Sequence, residues 1–300
     1  MNQGWIYRNQ VKKTDVGLTI LEFYQRHYRH STLHDWQERI ASGKVLLNGR
    51  SATAETILQV GQELTYDRPP WQEPDVPLSF DVLHEDRDLL AVVKPVGLPV
   101  LPGGGFLEHT LLWQLKQQYP AETPVPIHRL GRGTSGLMLL ARSPLARSGL
   151  SQQMRDRQIR KTYRALVGTG NVPESFTVTC AIGKIPHPVL GYVYGAASEG
   201  FEAHSECRVL KRMAETTLLE VTIRTGRPHQ IRIHLAVAGF PLIGDPLYEA
   251  GGVPRQARSG EKLPVPGDIG YHLHAYHVAF LHPRTQQPIK FTAPVPARLS

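Results

Sequence analysis

Read for apolar periodicity, residues 1–66 predict a small module of two short helices followed by a strand unit. Leu21, Tyr24 and Tyr28 recur at the spacing of one helical face. Thr32, with Asp35 three residues on, is a helix-start signal; Trp36 and Ile40 share the face behind it and Gly43 stops it. Val45-Leu46-Leu47 then runs into Asn48-Gly49, a tight hairpin turn, and a last strand is expected near residues 63–66 after the break at Gly61. Pro69, Pro70 and Pro74 come next. A segment so rich in proline continues neither a helix nor a central strand, so residues 67–78 read as a linker.

Residues 79–300 read as one larger domain with interleaved strand and helix patterns. Strands are expected at 78–84 and 89–93, around the polar turn Glu85-Asp86-Arg87-Asp88, and at 137–141, an apolar run typical of a buried strand. Residues 109–119 set Leu111, Leu112, Leu115 and Tyr119 on one helical face. Ser143 as cap and Pro144 at the first helical position open a further helix reaching toward Asp156. Leu219, Val221 and Ile223 alternate with Glu220, Thr222 and Arg224, a half-buried strand at 217–225. Several strand pairs are joined too tightly for parallel crossovers, which makes the fold class α+β.

Composition narrows the function. A chain of 300 residues allows roughly two domains at ~150 residues each, and 41% hydrophobic with 20% charged residues excludes a disordered tail or a coiled coil. No run approaches the ~18 apolar residues of a membrane span, and residues 1–13 lack the apolar stretch of a secretory signal. Cys180 and Cys207 supply neither a disulfide framework nor a zinc ribbon, so a reduced, cytoplasmic setting is expected. The net charge of +8 suits a protein that meets phosphates over a broad face. The competing explanation is a slightly basic enzyme with no polyanion partner.

Three polar stretches carry candidate chemistry. His128-Arg129-Leu130-Gly131-Arg132-Gly133-Thr134-Ser135-Gly136 precedes the buried strand and suits close approach to a phosphate or a base; otherwise it is a surface turn. Residues 155–164 hold five cations and Tyr163, enough for phosphate contacts and a stacking face, or for a solvated helix end. Thr225-Gly226-Arg227-Pro228-His229-Gln230-Ile231-Arg232 gathers Arg227, His229 and Arg232 at a helix start, a natural anion site. His272, His274, His277 and His282 have no carboxylate or cysteine among them and match no metal spacing, so no metal site is expected. A strand at 271–280 would put His272 and His274 on one face and His277 on the other. Gly103-Gly104-Gly105 lacks the lysine of a nucleotide loop and reads as a turn.

Taken together, these stretches resemble the RluA-type family of RNA pseudouridine synthases. The family's His-Arg-Leu-Asp-x-x-Thr-Ser-Gly lies at His128 to Gly136, its Lys-Pro-x-Gly at Lys94-Pro95-Val96-Gly97 and its Lys-x-Tyr at Lys161-Thr162-Tyr163. Its Thr-Gly-Arg-x-His-Gln-Ile-Arg-x-His runs from Thr225 to His234, and its Gly-Asp-x-x-Tyr is Gly244-Asp245-Pro246-Leu247-Tyr248. Leu273 to Tyr276 and His282 to Thr285 complete the order, which spans residues 79–296. The N-terminal module is similar to an S4 RNA-binding domain through Gly43 to Gly49.

The resemblance implies a mixed, mainly antiparallel sheet with flanking helices, beside a small S4-like module. It implies isomerisation of specific uridines in structured RNA (rRNA or tRNA), with the N1–C1′ bond broken, the sugar rejoined through C5, and neither metal nor organic cofactor. The target base must leave its stack, and a carboxylate must act as nucleophile or base. By resemblance Tyr163 stacks on the flipped base, Arg232 holds the catalytic carboxylate and Arg129 helps open the helix or fills the vacated stack. Arg132, Lys161, Arg227 and His229 are further RNA contacts. RNA is the expected partner, the membrane is not, and a monomer is the default.

One position departs from the pattern: the catalytic aspartate falls at Gly131, which has no side chain. Residues 124–151 contain no acid at all. Arg232 is therefore expected to lose its ion-pair partner, with Asp245, in a structural turn, and Asp156 as the distant acids to consider. An alternative function follows, a catalytically silent RNA-binding protein that keeps the cleft.

Overall fold

The structure, a computed structural model, describes residues 1–188, 190–255 and 263–300. The chain divides into two compact units, residues 1–73 with 186–192, and residues 74–185 with 193–300.

In the first unit β1 (Trp5–Gln10), β2 (Val45–Leu47), β3 (Arg50–Ser51) and β4 (Glu63–Arg68) form an antiparallel sheet in the order β1-β4-β2-β3. Two helices, α1 (Ile20–His27) and α2 (Leu33–Ala41), complete it. Thr32 and Asp35 cap α2 reciprocally, as their spacing predicts, and Thr19 with Glu22 does the same for α1. Asn48 and Gly49 both take positive φ, 50° and 75°, which is what a two-residue turn between right-twisted strands requires. Tyr24 stacks on Trp36 at 4.3 Å in a core with Ile20, Leu58 and Leu64. Two features differ from the sequence expectation. β1 is an additional edge strand whose Trp5 and Ile6 are exposed, so it carries no strong apolar alternation. β4 runs to Arg68, into the stretch read as a linker.

The second unit is built on a ten-stranded sheet. Its chain order begins β5 (Asp81–Glu85), β6 (Leu89–Lys94), α3 (Leu111–Gln118), β7 (Val125–Pro126), β8 (Thr134–Ala141), α4 (Pro144–Arg155) and β9 (Arg160–Gly168). Then come β10 (Ser175–Val178), the mutually paired β11 (Ile182–His187) and β12 (Gly191–Ala196), whose residues 186–192 count with the first unit, β13 (Ser205–Arg212) and β14 (Thr216–Ile223). α5 (Gln230–Val237), β15 (Leu273–Leu281) and β16 (Pro288–Thr292) finish it. The spatial order is β10-β13-β14-β9-β15-β8-β6-β5, with β16 on β15 and β7 on β8. All these pairings are antiparallel except β15 with β8, so the expected α+β class and mainly antiparallel sheet are what the chain forms.

Position in the sheet explains the sequence pattern. β8 lies between β6 and β15 and every one of its residues is buried, hence its unbroken apolar run. Where β8 meets β15, Gly136 has φ +103°, and a Cβ there would stand 2.2 Å from the Ala275 carbonyl oxygen. Only glycine allows that parallel contact. Ser143 caps α4 by accepting from the Ala146 N–H, with Pro144 at the first helical position. β15 starts at Leu273, not 271, and a bulge between Ala275 and His277 shifts its register against β9, so the expected histidine alternation is not formed.

Candidate functional site

The central strands deliver the site. Tyr163 sits mid-β9, paired with Val221 of β14 and Ala275 of β15, and Lys161 points the same way two residues earlier. The segment entering β8 brings His128 and Arg129, and the β14–α5 connection brings Arg224 to Arg227. These residues line one cleft of about 510 Å3 with Ile127, Ile159, Ile223, Arg155 and Arg157. Arg129, Lys161, Tyr163 and Arg227, four of the residues expected from the sequence, thus converge. Among the described residues six cations and no carboxylate line this cleft, which gives it a strongly positive field.

Tyr163 is buried, which pushes its phenol up to about 12 and keeps it neutral. Its hydroxyl has no hydrogen-bond partner among the described residues, so the ring contributes a face and not a fixed donor. Lys161 is also largely buried, and burial lowers its pKa. Among the described residues its Nζ reaches only the Met154 Sδ at 3.8 Å, leaving a cation in the cleft without an anion there. His128 is held neutral, lowered to about 3 by burial, then by the Lys161 charge. Its Nε2 accepts from the Leu139 N–H at 3.2 Å.

The remaining expected residues lie outside the lining of this cleft. Arg132 donates from Nε to the Gly97 carbonyl at 3.1 Å and lies over the Phe106 ring at 5.0 Å, which stitches the 131–133 loop to the 95–98 loop. The buried Lys94 reinforces the stitch, donating to the carbonyls of Pro95 at 2.7 Å and Leu98 at 2.9 Å; burial lowers it to about 7. His229 caps α5 in the left-handed region at φ 55°. The Tyr248 hydroxyl gives its proton to the Tyr194 carbonyl at 2.6 Å, so His229 Nδ1–H donates to that hydroxyl at 2.7 Å. Burial, then the Arg232 charge, lowers His229 to about 3.

Arg232 requires a correction. It is not left without a partner: Nε and Nη2 each donate to a different oxygen of Asp245 at 2.7 Å, with both side chains buried. Asp245 does form the expected turn, accepting from the Leu247 and Tyr248 N–H groups at 2.9 and 3.1 Å, and it also supplies the counter-charge. The Arg232 guanidinium lies 4.2 Å from the Tyr271 ring centre. Gly131 is exposed, and a Cβ there would stand 3.0 Å from the Tyr271 Oη. Asp156 is exposed, holds Gln152 at 2.9 Å and does not line the cleft.

Sequence reasoning missed the residues that fix the frame. Gln230 accepts from Thr225 Oγ1 and the Arg227 N–H, and donates to the His204 carbonyl and Ser205 Oγ, so all its polar capacity locks the loop before α5. Tyr271 has no local signal, because its neighbours come from distant segments. The histidines are also engaged separately: His274 with Ser135 Oγ at 2.8 Å, His277 with Thr292 Oγ1 at 2.9 Å, His272 with Arg298 at 3.3 Å. His282, contrary to the expectation, does meet carboxylates, with ligand atoms of Asp86, Asp88 and His282 within 4.8 Å of one another. Those oxygens are already taken by His84, Ser143, Arg284 and backbone N–H groups. Among the described residues no helix is long and apolar enough to cross a membrane.

Comparison with known proteins agrees with this frame. The sequence pattern of the family described as RNA pseudouridylate synthase matches residues 88–237. An uncharacterised RNA pseudouridine synthase of Synechocystis is 55% identical, covering 93% of this chain and 95% of its own. RNA pseudouridine synthase 5 of Arabidopsis thaliana is 38% identical over 99% of this chain and 94% of its own. Ribosomal large subunit pseudouridine synthase D of Neisseria meningitidis is 32% identical, over 90% and 72%. Among solved structures, human RNA pseudouridylate synthase domain containing 1 shares the fold, with a TM-score of 0.57 at 22% identity over 75% of this chain and 87% of that one. With the family pattern running from the β5–β6 turn through α5, and so through every wall of the basic cleft, the chain belongs to the RluA-type RNA pseudouridine synthase family.

Proposed function

We propose that the protein is an RNA pseudouridine synthase that draws a uridine of a structured RNA, rRNA or tRNA, into the cleft floored by Tyr163. The observation that carries this reading is the union, in one cleft, of a buried aromatic face with six cations and no competing acid. Lys161, buried without an anion, and Arg227, fixed by its Nε on the Glu202 carbonyl, take the phosphates flanking the extruded nucleotide. Arg129, exposed at the rim, stacks beside the extruded base. Residues 1–66 act as an S4-like module that adds phosphate contacts. The protein works as a monomer in the cytoplasm.

A second reading rests on a specific observation, the glycine at position 131. No side chain there can act on the sugar or base, and Asp245 has both oxygens committed to Arg232 and two backbone N–H groups. Under this reading the protein binds RNA and does not isomerise it. Release of tritium from RNA labelled at C5 of uridine separates the two. Release by the native protein supports the synthase; release only by Gly131→Asp establishes a silent cleft that binds RNA.

A further inference from the structure

A second cavity, of about 630 Å3, adjoins the cleft and shares Ile127, His128 and Arg129 with it. Its walls differ in kind. Leu101, Leu112, Pro126 and Ile127 make an apolar slot, and Lys116 and Arg147 stand exposed at its edge. Neither of these cations, nor Arg129, makes an ion pair or side-chain hydrogen bond among the described residues. Its volume lies within the ~300–1,000 Å3 usual for sites that take a small planar ligand.

We propose that this cavity is a second nucleotide subsite, which receives the unpaired base next to the target uridine while Lys116 and Arg147 hold its phosphates. The proposal rests on the reading of the cleft as an RNA site. Three observations carry it. The partition between the cavities is the single short segment 127–129, so a strand crossing Arg129 sets consecutive nucleotides on either side. An apolar slot rimmed by cations matches a nucleotide, whose base is flat and apolar on its faces and whose backbone is anionic. Arg129 is the only charge in the partition, because His128 is neutral, and an exposed guanidinium there can lie between the two displaced bases. The cleft would thus select for a run of two unpaired nucleotides, as in a loop or bulge, and not for one uridine pulled from a continuous helix.

The test uses the full-length protein and a fluorescein-labelled RNA hairpin with a seven-uridine loop, titrated by anisotropy at low salt. A set of hairpins lacks the base at one loop position at a time. Two adjacent sensitive positions are expected in the native protein, each losing about tenfold in affinity, the worth of one stacked base. In Leu101→Asp, a change at an exposed loop residue, one of the two should become insensitive while the other keeps its effect. A single sensitive position in the native protein overturns the second subsite and leaves the cleft reading intact. No binding of any hairpin overturns both. Circular dichroism of Leu101→Asp, and the separate variant Lys116→Glu, guard against loss by misfolding; Lys116→Glu should weaken every hairpin and leave the two-position pattern in place. Unchanged affinity in Lys116→Glu counts against the phosphate contact and the subsite with it.

Discussion

Arg232 and Asp245 form a two-pronged ion pair, Nε and Nη2 each 2.7 Å from a separate carboxylate oxygen, with side chains only 3% and 1% exposed. The pair joins the first turn of α5 to the turn at 244–248. Removing one partner leaves the other charged and buried, the costly case. Asp245→Asn should therefore lose about 3–5 kcal/mol of stability in urea unfolding at neutral pH. A change below about 1 kcal/mol, the worth of an exposed pair, would contradict this account.

Glycines near the site should rank by what their missing Cβ would strike. At Gly131 the contact is the Tyr271 hydroxyl at 3.0 Å and the backbone lies outside the left-handed region, so Gly131→Asp should fold with a change within about 1 kcal/mol. At Gly133 a Cβ would stand 2.8 Å from the Tyr271 ring, which is buried and already lies against Arg232. Gly133→Ala should cost about 1–3 kcal/mol by overpacking. Gly136→Ala, 2.2 Å from a backbone carbonyl at positive φ, should not yield a folded protein. Thermal unfolding of the purified variants gives the order directly. An unfolded Gly131→Asp would remove the basis for using it as the restored enzyme.

Tyr163 offers a ring and no fixed hydrogen bond, so its two parts can be separated. Tyr163→Phe should bind RNA as the native protein does. Tyr163→Leu keeps an apolar side chain in the buried site but has no flat face, and should weaken binding by about 1–3 kcal/mol. Equal losses in Phe and Leu variants, measured by filter binding, would show that the hydroxyl and not the ring meets the RNA.

What could be read from the sequence was local. The Thr32–Asp35 cap, the Asn48-Gly49 turn, the Ser143-Pro144 helix start and the fully apolar β8 each follow from neighbours within a few residues. The convergence of Arg129, Lys161, Tyr163 and Arg227 came from collinear motifs matched to a family, since no local period links residues almost a hundred positions apart. Asp245 stood among the candidate acids thirteen positions after Arg232, but its pairing with Arg232 could not be read off, because the intervening chain leaves α5 and turns back at Gly239 and Gly244. Tyr271, close to both Gly131 and Arg232, belongs to a third segment and gave no signal. Distance across a tertiary fold is set by sheet register, and a bulge such as that at Ala275 and His277 can shift register without a sequence mark.

The half-buried imidazoles of His128 and His229, with the buried His234 and His274, which burial also lowers, should set the acid limit of stability. His128 must keep its Nε2 unprotonated to accept from the Leu139 N–H, and burial holds it at about 3. His229 is held at about 3 by burial first and then by the Arg232 charge. In the unfolded chain each takes up its proton near the usual ~6.5. The unfolded state therefore binds more protons between about 3 and 6.5, and stability falls as pH falls through that window, by at most ~1.4 kcal/mol per pH unit for each group. Urea midpoints measured from pH 7 to 4.5 should decline steadily, and His128→Gln should flatten the decline, since its amide oxygen can accept the same N–H and does not titrate. A slope in His128→Gln equal to the native one would mean that His128 accepts its proton in the folded state at an ordinary pH, and that the 127–129 partition carries two positive charges in mild acid, not one.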